Sequence, residues 1–249
     1  LKELAVCKQL AVAACARQDR LSRLASVVQA CRELVKNGRA TPEMMKKIID
    51  TFDERCEGLP LADVHEFEDA LEAAALCLKG FDGATSEDAA LGAKAAQRVL
   101  RVIASTPHED FGAKEVSKDR LVDVQLAAAA AVHGSALAAA ASHARETLAS
   151  SAREVPALFW KLEALQKSSS AFSSARAALE SRRKTDEVAA VPNSPPAMVG
   201  AWQMWLSAAE GVEDLTASLR AAAVTQTSAL VEKAVNELPG GSWKSRLGE

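Results

Sequence analysis

The sequence predicts an all-α protein, an elongated bundle of long antiparallel helices with shorter helices packed at one side or end. Three observations carry this prediction. Of the 249 residues, 52 are Ala, the residue that loses no side-chain entropy in a helix. Aromatic residues are only 4% and Tyr is absent, whereas strands favour aromatic and β-branched residues. No segment alternates apolar and polar residues over a convincing length.

The first predicted helix covers residues 1–36 and ends at Asn37-Gly38, a sequence that stops helices well. Its apolar residues recur at three- and four-residue intervals, which indicates one buried face along the whole helix. The residues of this face are Leu4, Cys7, Ala11, Ala14, Leu21, Leu24, Val28, Cys31 and Val35.

Three shorter helices are predicted next, at residues 42–56, 61–78 and 86–105. Thr41-Pro42 supplies a helix cap followed by a proline at the first helical position. Pro60 opens the second of these helices, and Thr85 caps the third. Glycine or proline residues follow all three helices and mark their ends.

Three long helices are predicted in the second half, at residues 113–150, 155–190 and 197–238. Pro156 either starts a helix after a tight turn or kinks one very long helix. We expect the turn, because two antiparallel helices can then bury each other. Small residues at 127–141 predict that a neighbouring helix approaches closely there. The first long helix is a possible fourth member of this bundle.

The predicted parts are an N-terminal helical part at 1–110, a long-helix bundle at 111–241 and a tail at 242–249, unless the first two form one continuous domain. The chain begins at Leu1 rather than Met. We therefore expect a processed or excised piece whose targeting signal is not visible.

Charge and hydropathy argue against nucleic-acid binding and against a transmembrane span. The chain carries 30 basic and 33 acidic residues, a net charge of −3, and the two signs are well mixed. Nucleic-acid binding would need a basic stripe to neutralise phosphates, so none is expected. The run Arg182-Arg183-Lys184 is interpreted as a solvated helix end. The sequence contains no stretch of about 20 large apolar residues, so no transmembrane span is predicted.

The five cysteines are Cys7, Cys15, Cys31, Cys56 and Cys77. Three lie on the first helix, too far apart to form disulfides with one another. No CxxC motif is present. We therefore expect reduced, buried thiols that pack as small apolar groups. This expectation favours a reducing compartment, intracellular or inside an organelle.

No cofactor, metal site or catalytic group is predicted. His65-Glu66-Phe67-Glu68-Asp69 begins like the zinc motif HExxH, but Asp69 stands where the second His belongs. An exposed acidic helix face is the better interpretation. Nucleophilic catalysis needs a Ser or Cys beside a base, and the sequence shows no such arrangement. We expect a protein that is not an enzyme.

Two histidines are possible pH switches. His133 lies in the alanine-rich segment, where its titration between pH 5 and 8 would loosen packing. His143 stands three residues before Glu146, within reach on a helix. The plainer interpretation of both is an exposed or hydrogen-bonded histidine.

The tryptophans suggest two kinds of binding site. Trp160, Trp202 and Trp205 fall on or near predicted inward faces and are core residues by default. Alternatively, they line a cavity for an apolar ligand. Trp243, with Arg246 and Leu247, lies in the short tail after Pro239. A large aromatic residue there either folds back onto the bundle or anchors a partner.

The function expected from these observations is that of a non-enzymatic structural scaffold, or of an accessory subunit that binds other protein chains. The alternative is a carrier or pH-responsive sensor for an apolar small molecule held within the bundle. A third hypothesis is a membrane-active protein whose alanine-rich hairpin near residues 126–141 inserts into lipid. Alanine is only weakly apolar, which disfavours the third hypothesis.

Overall fold

The computed structural model describes residues 2–51, 59–79, 86–106, 115–150, 154–189 and 199–237. Within these ranges the chain forms α-helices and no strand, which confirms the predicted all-α class. The described helices are α1 (Lys2–Asn37), α2 (Pro42–Thr51), α3 (Val64–Leu78), α4 (Ser86–Ala104), α5 (Glu115–Ala149), α6 (Val155–Ala189), α7 (Val199–Glu210) and α8 (Val212–Glu237).

Local signals set the ends of the first helices. Gly38 has a φ of 69° and donates its backbone N–H to the carbonyls of Leu34 and Val35, which ends α1. Only glycine adopts this left-handed conformation without strain. Helix α3 begins at Val64, later than predicted, because Asp63 caps it by accepting the backbone N–H of Glu66 at 2.9 Å.

Helices α5 and α6 form the most extensive pair in the fold. Helix α5 ends at Ala149 and α6 begins at Val155, so the predicted separation into two helices at Pro156 is confirmed. Near the start of α5, Arg182 of α6 donates to Asp119 and Asp123, each at 3.0 Å. The prediction that Arg182 is a solvated helix end is therefore wrong, since it joins the two helices.

Helix α5 is the central helix of the bundle, in contact with α3, α4, α6, α7 and α8. A Cβ atom added to Gly134 would lie 2.5 Å from Cδ2 of Trp205 in α7. The Trp205 ring therefore packs directly on the α5 backbone at Gly134, while the close approach of a helix along the whole of 127–141 stays a prediction. The segment Asp119–Ala149 is also long and apolar enough to span a membrane by length and composition alone.

The last long helix was predicted as one element and is instead interrupted at Gly211, between α7 and α8. Helical hydrogen bonds continue across the interruption. The Gly211 N–H donates to Ser207 at 3.4 Å, and the Leu215 N–H donates to Gly211 at 3.1 Å. Glycine is a poor helix former, which explains why the change of geometry falls at this residue.

Helix α1 packs mainly on α2 and α3, so it is not the fourth long member of the second-half bundle. Its buried side chains begin only at Leu24, and the buried positions are Leu24, Val27, Val28, Ala30, Cys31 and Leu34. These residues join one core cluster that extends through the described helices to Ala223. The described parts of 1–110 and 111–241 thus share a continuous core.

Candidate functional site

The candidate site is the half of helix α1 that no other described helix covers. Residues 5–19, together with Leu21 and Ser22, are exposed. At about 1.5 Å rise per residue, the segment 5–22 is about 27 Å long. The predicted burial of this helix along its whole length is therefore wrong for its first half.

The uncovered half continues the pattern by which the covered half packs. Buried residues Leu24, Val27, Cys31 and Leu34 are spaced by three and four residues, the spacing of a helix-packing stripe. The same spacing, continued toward the N-terminus, defines one seam along α1. Its members are Val6, Leu10, Ala13, Arg17, Arg20, Leu24, Val27, Cys31 and Leu34.

The seam changes character along its length. Val6 is 53% exposed and Leu10 is 65% exposed, although both occupy positions equivalent to core residues. Arg17 and Arg20 then lie between these apolar residues and Leu24. The buried part of the seam begins only after these two arginines, at Leu24.

Helix α3 shows how an arginine on α1 is compensated where α1 is covered. Arg32 donates through Nη2 to Glu66 and through Nε to Asp69, both at 3.3 Å. The two acids are three residues apart, so they lie on the same face of α3. The covered half therefore combines an apolar seam with carboxylates from the opposing helix.

A second ion pair joins the covered half to α2. Lys47 Nζ donates to Glu33 at 2.7 Å. This hydrogen bond, with one from Gln29 and the positive charge of Lys47, lowers the pKa of the Glu33 carboxyl below its usual value of 4.5. The pair is exposed, so it contributes little to stability.

The cysteines divide between the two halves of α1 and the core. Cys31 and Cys77 are buried, as predicted, whereas Cys7 and Cys15 are exposed, so the prediction is wrong for this second pair. The reason is again that nothing covers α1 before Leu24. Burial, and secondarily the negative charge of Asp69, raises the pKa of Cys31 to about 12. Cys56 lies outside the described residues.

The structure separates the tryptophans that were grouped as possible ligand residues. Trp205 is buried against Gly134, whereas Trp160 is 69% exposed. The expected inward position of Trp160 is wrong, because two residues after the buried Leu158 a helix has turned by about 200°. The side chain of Trp202 lies outside the described residues. The apolar-ligand hypothesis stays a prediction.

The remaining predicted sites give no cluster with evident chemistry. His133 is half-buried, and His143 lies on the surface with Nδ1 3.4 Å from Glu146 Oε2. His65 and Glu68 are exposed, while Glu66 and Asp69 bind Arg32. Among the described residues, no group of three or more His, Cys, Asp or Glu side chains is placed to hold a metal ion.

Trp243, Arg246 and Leu247, the predicted partner-binding residues of the tail, lie outside the described ranges, as does His108. Another uncovered helix surface is described at residues 227–234 of α8. It includes the exposed side chains of Leu230 and Val231. Unlike the uncovered half of α1, it has nearly balanced charges.

No protein-family model, curated protein or solved structure matches this chain. The sequence signal for the uncovered half of α1 was present in the pair Arg17 and Arg20, which interrupts an otherwise apolar seam.

Proposed function

We propose that this chain is a non-enzymatic accessory subunit that binds another protein through the uncovered half of α1. One observation carries the proposal. A seam that is buried from Leu24 to Leu34 continues over 18 further residues, 5–22, that lie outside the bundle. An exposed apolar helix face is typical of surfaces that dock on a partner helix or groove.

The size of the exposed side chains also favours helix packing over other uses of this surface. Ala13 and Ala14 lie three and four residues after the larger Leu10, on the same face of the helix. Small residues allow helix axes to approach to about 8 Å. A partner helix laid along the seam would bury Val6 and Leu10 and would complete the packing that α2 and α3 provide further along.

Native thiols make a direct test feasible. Cys7 and Cys15 are exposed on the uncovered half, whereas Cys31 and Cys77 are buried. The substitution Cys56→Ser removes the fifth cysteine, so that a reagent labels Cys7 and Cys15. A photoactivatable cross-linker attached to them, followed by illumination in an extract of the source cells, should give one defined cross-linked product. Leu10→Asp should abolish this product.

The matched control moves the reactive thiol to the covered half of the same helix. In this variant Cys7 and Cys15 are replaced by Ser, and Ser26→Cys provides an exposed thiol. It should give little or none of the product. Equal cross-linking from both positions, or a product that persists in Leu10→Asp, would contradict the proposed function.

A further inference from the structure

We draw no further inference here: the strongest candidate, the surface patch of exposed aromatic side chains at Phe159 and Trp160 near the start of α6, carries no proposal because nothing in the structure shows what covers it.

Discussion

The two halves of helix α1 differ in their surroundings more than in their apolar pattern. From Leu24 to Leu34 the seam is buried against α2 and α3, and from Val6 to Arg20 it is largely exposed. Both halves are helical throughout. Helix formation in α1 therefore does not require burial, and the apolar spacing alone does not reveal which half is covered.

The difference between the halves lies in the charges along the seam. The covered half meets acidic groups supplied by α3, whereas the uncovered half carries Arg17 and Arg20 within the seam. The charge of Arg32 is compensated by two carboxylates of α3, so it is tolerated beside the core.

Thiol reactivity should separate the two halves most strongly. In a Cys56→Ser variant, Cys7 and Cys15 should react quickly with a thiol reagent. Cys31 and Cys77 should react only when the core opens. Opening that costs about 5 kcal/mol slows labelling about a thousandfold or more. The raised pKa of Cys31, about 12, adds to its protection. Labelling followed by mass spectrometry measures the rates, and rates within tenfold of one another would refute the assignment.

Truncation of one leucine in each half should differ in its cost. Leu34 is fully buried, so Leu34→Ala should lower the free energy of unfolding by about 2–5 kcal/mol through lost packing and a cavity. Leu10 is exposed, and Leu10→Ala should change it by no more than about 0.5 kcal/mol. Chemical denaturation measures both. Equal losses of unfolding free energy in the two variants would mean that Leu10 is buried in the isolated chain.

Two glycines in the second half of the chain show the same contrast, since a neighbouring side chain packs closely against one of them and not against the other. An added methyl at Gly134 would meet the Trp205 ring at 2.5 Å, whereas at Gly211 the nearest atom, Arg145 Nη2, would be 3.6 Å away. Gly134→Ala should therefore destabilise the protein by about 1–3 kcal/mol. Gly211→Ala should be neutral or stabilising by up to about 1 kcal/mol. Thermal unfolding distinguishes them, and a stabilising Gly134→Ala would show that α7 is not held against α5.

The ion pair between Glu33 and Lys47, in the covered half of α1, should give the smallest effect, a pH dependence of the free energy of unfolding. The pKa of Glu33 is lowered in the folded chain, so the folded state binds fewer protons than the unfolded state. Its contribution to stability is present above the unfolded value of about 4.5 and is lost as pH falls through the lowered pKa.

Unfolding between pH 3 and 6 measures this contribution. Glu33→Gln should flatten this part of the profile, and Lys47→Met should flatten it in part, because Gln29 still donates to Glu33. The double variant should behave like Glu33→Gln alone. Additive effects would show that the two side chains act independently.

Much of the helical framework was predictable because its signals are local. Gly38 ends α1, Thr41-Pro42 starts α2, and α6 begins at Val155, one residue before Pro156. Such signals act through hydrogen bonds and sterics within a few residues. The start of α3 shows the limit of such signals. Pro60 predicted a helix from residue 61, whereas the helix begins at Val64, after the capping residue Asp63.

The candidate site was predictable only in part. The three- and four-residue spacing in α1 was visible, yet the predicted inward face extended to Leu4 and placed Cys7 and Cys15 in the core. Trp160 was similarly assigned to an inward face and is exposed. In each case the side chain was identified as apolar, but the burial of an apolar side chain depends on a neighbouring element.

The helical character of this protein could be predicted from its sequence, because alanine content and helix caps act along the chain. The coverage of the seam from Leu24 onward, and its exposure before that residue, depend on tertiary packing. Coverage requires helices from distant parts of the chain with matching shape and charge. Helices α2 and α3 provide that match for the C-terminal half of α1 and leave its N-terminal half uncovered.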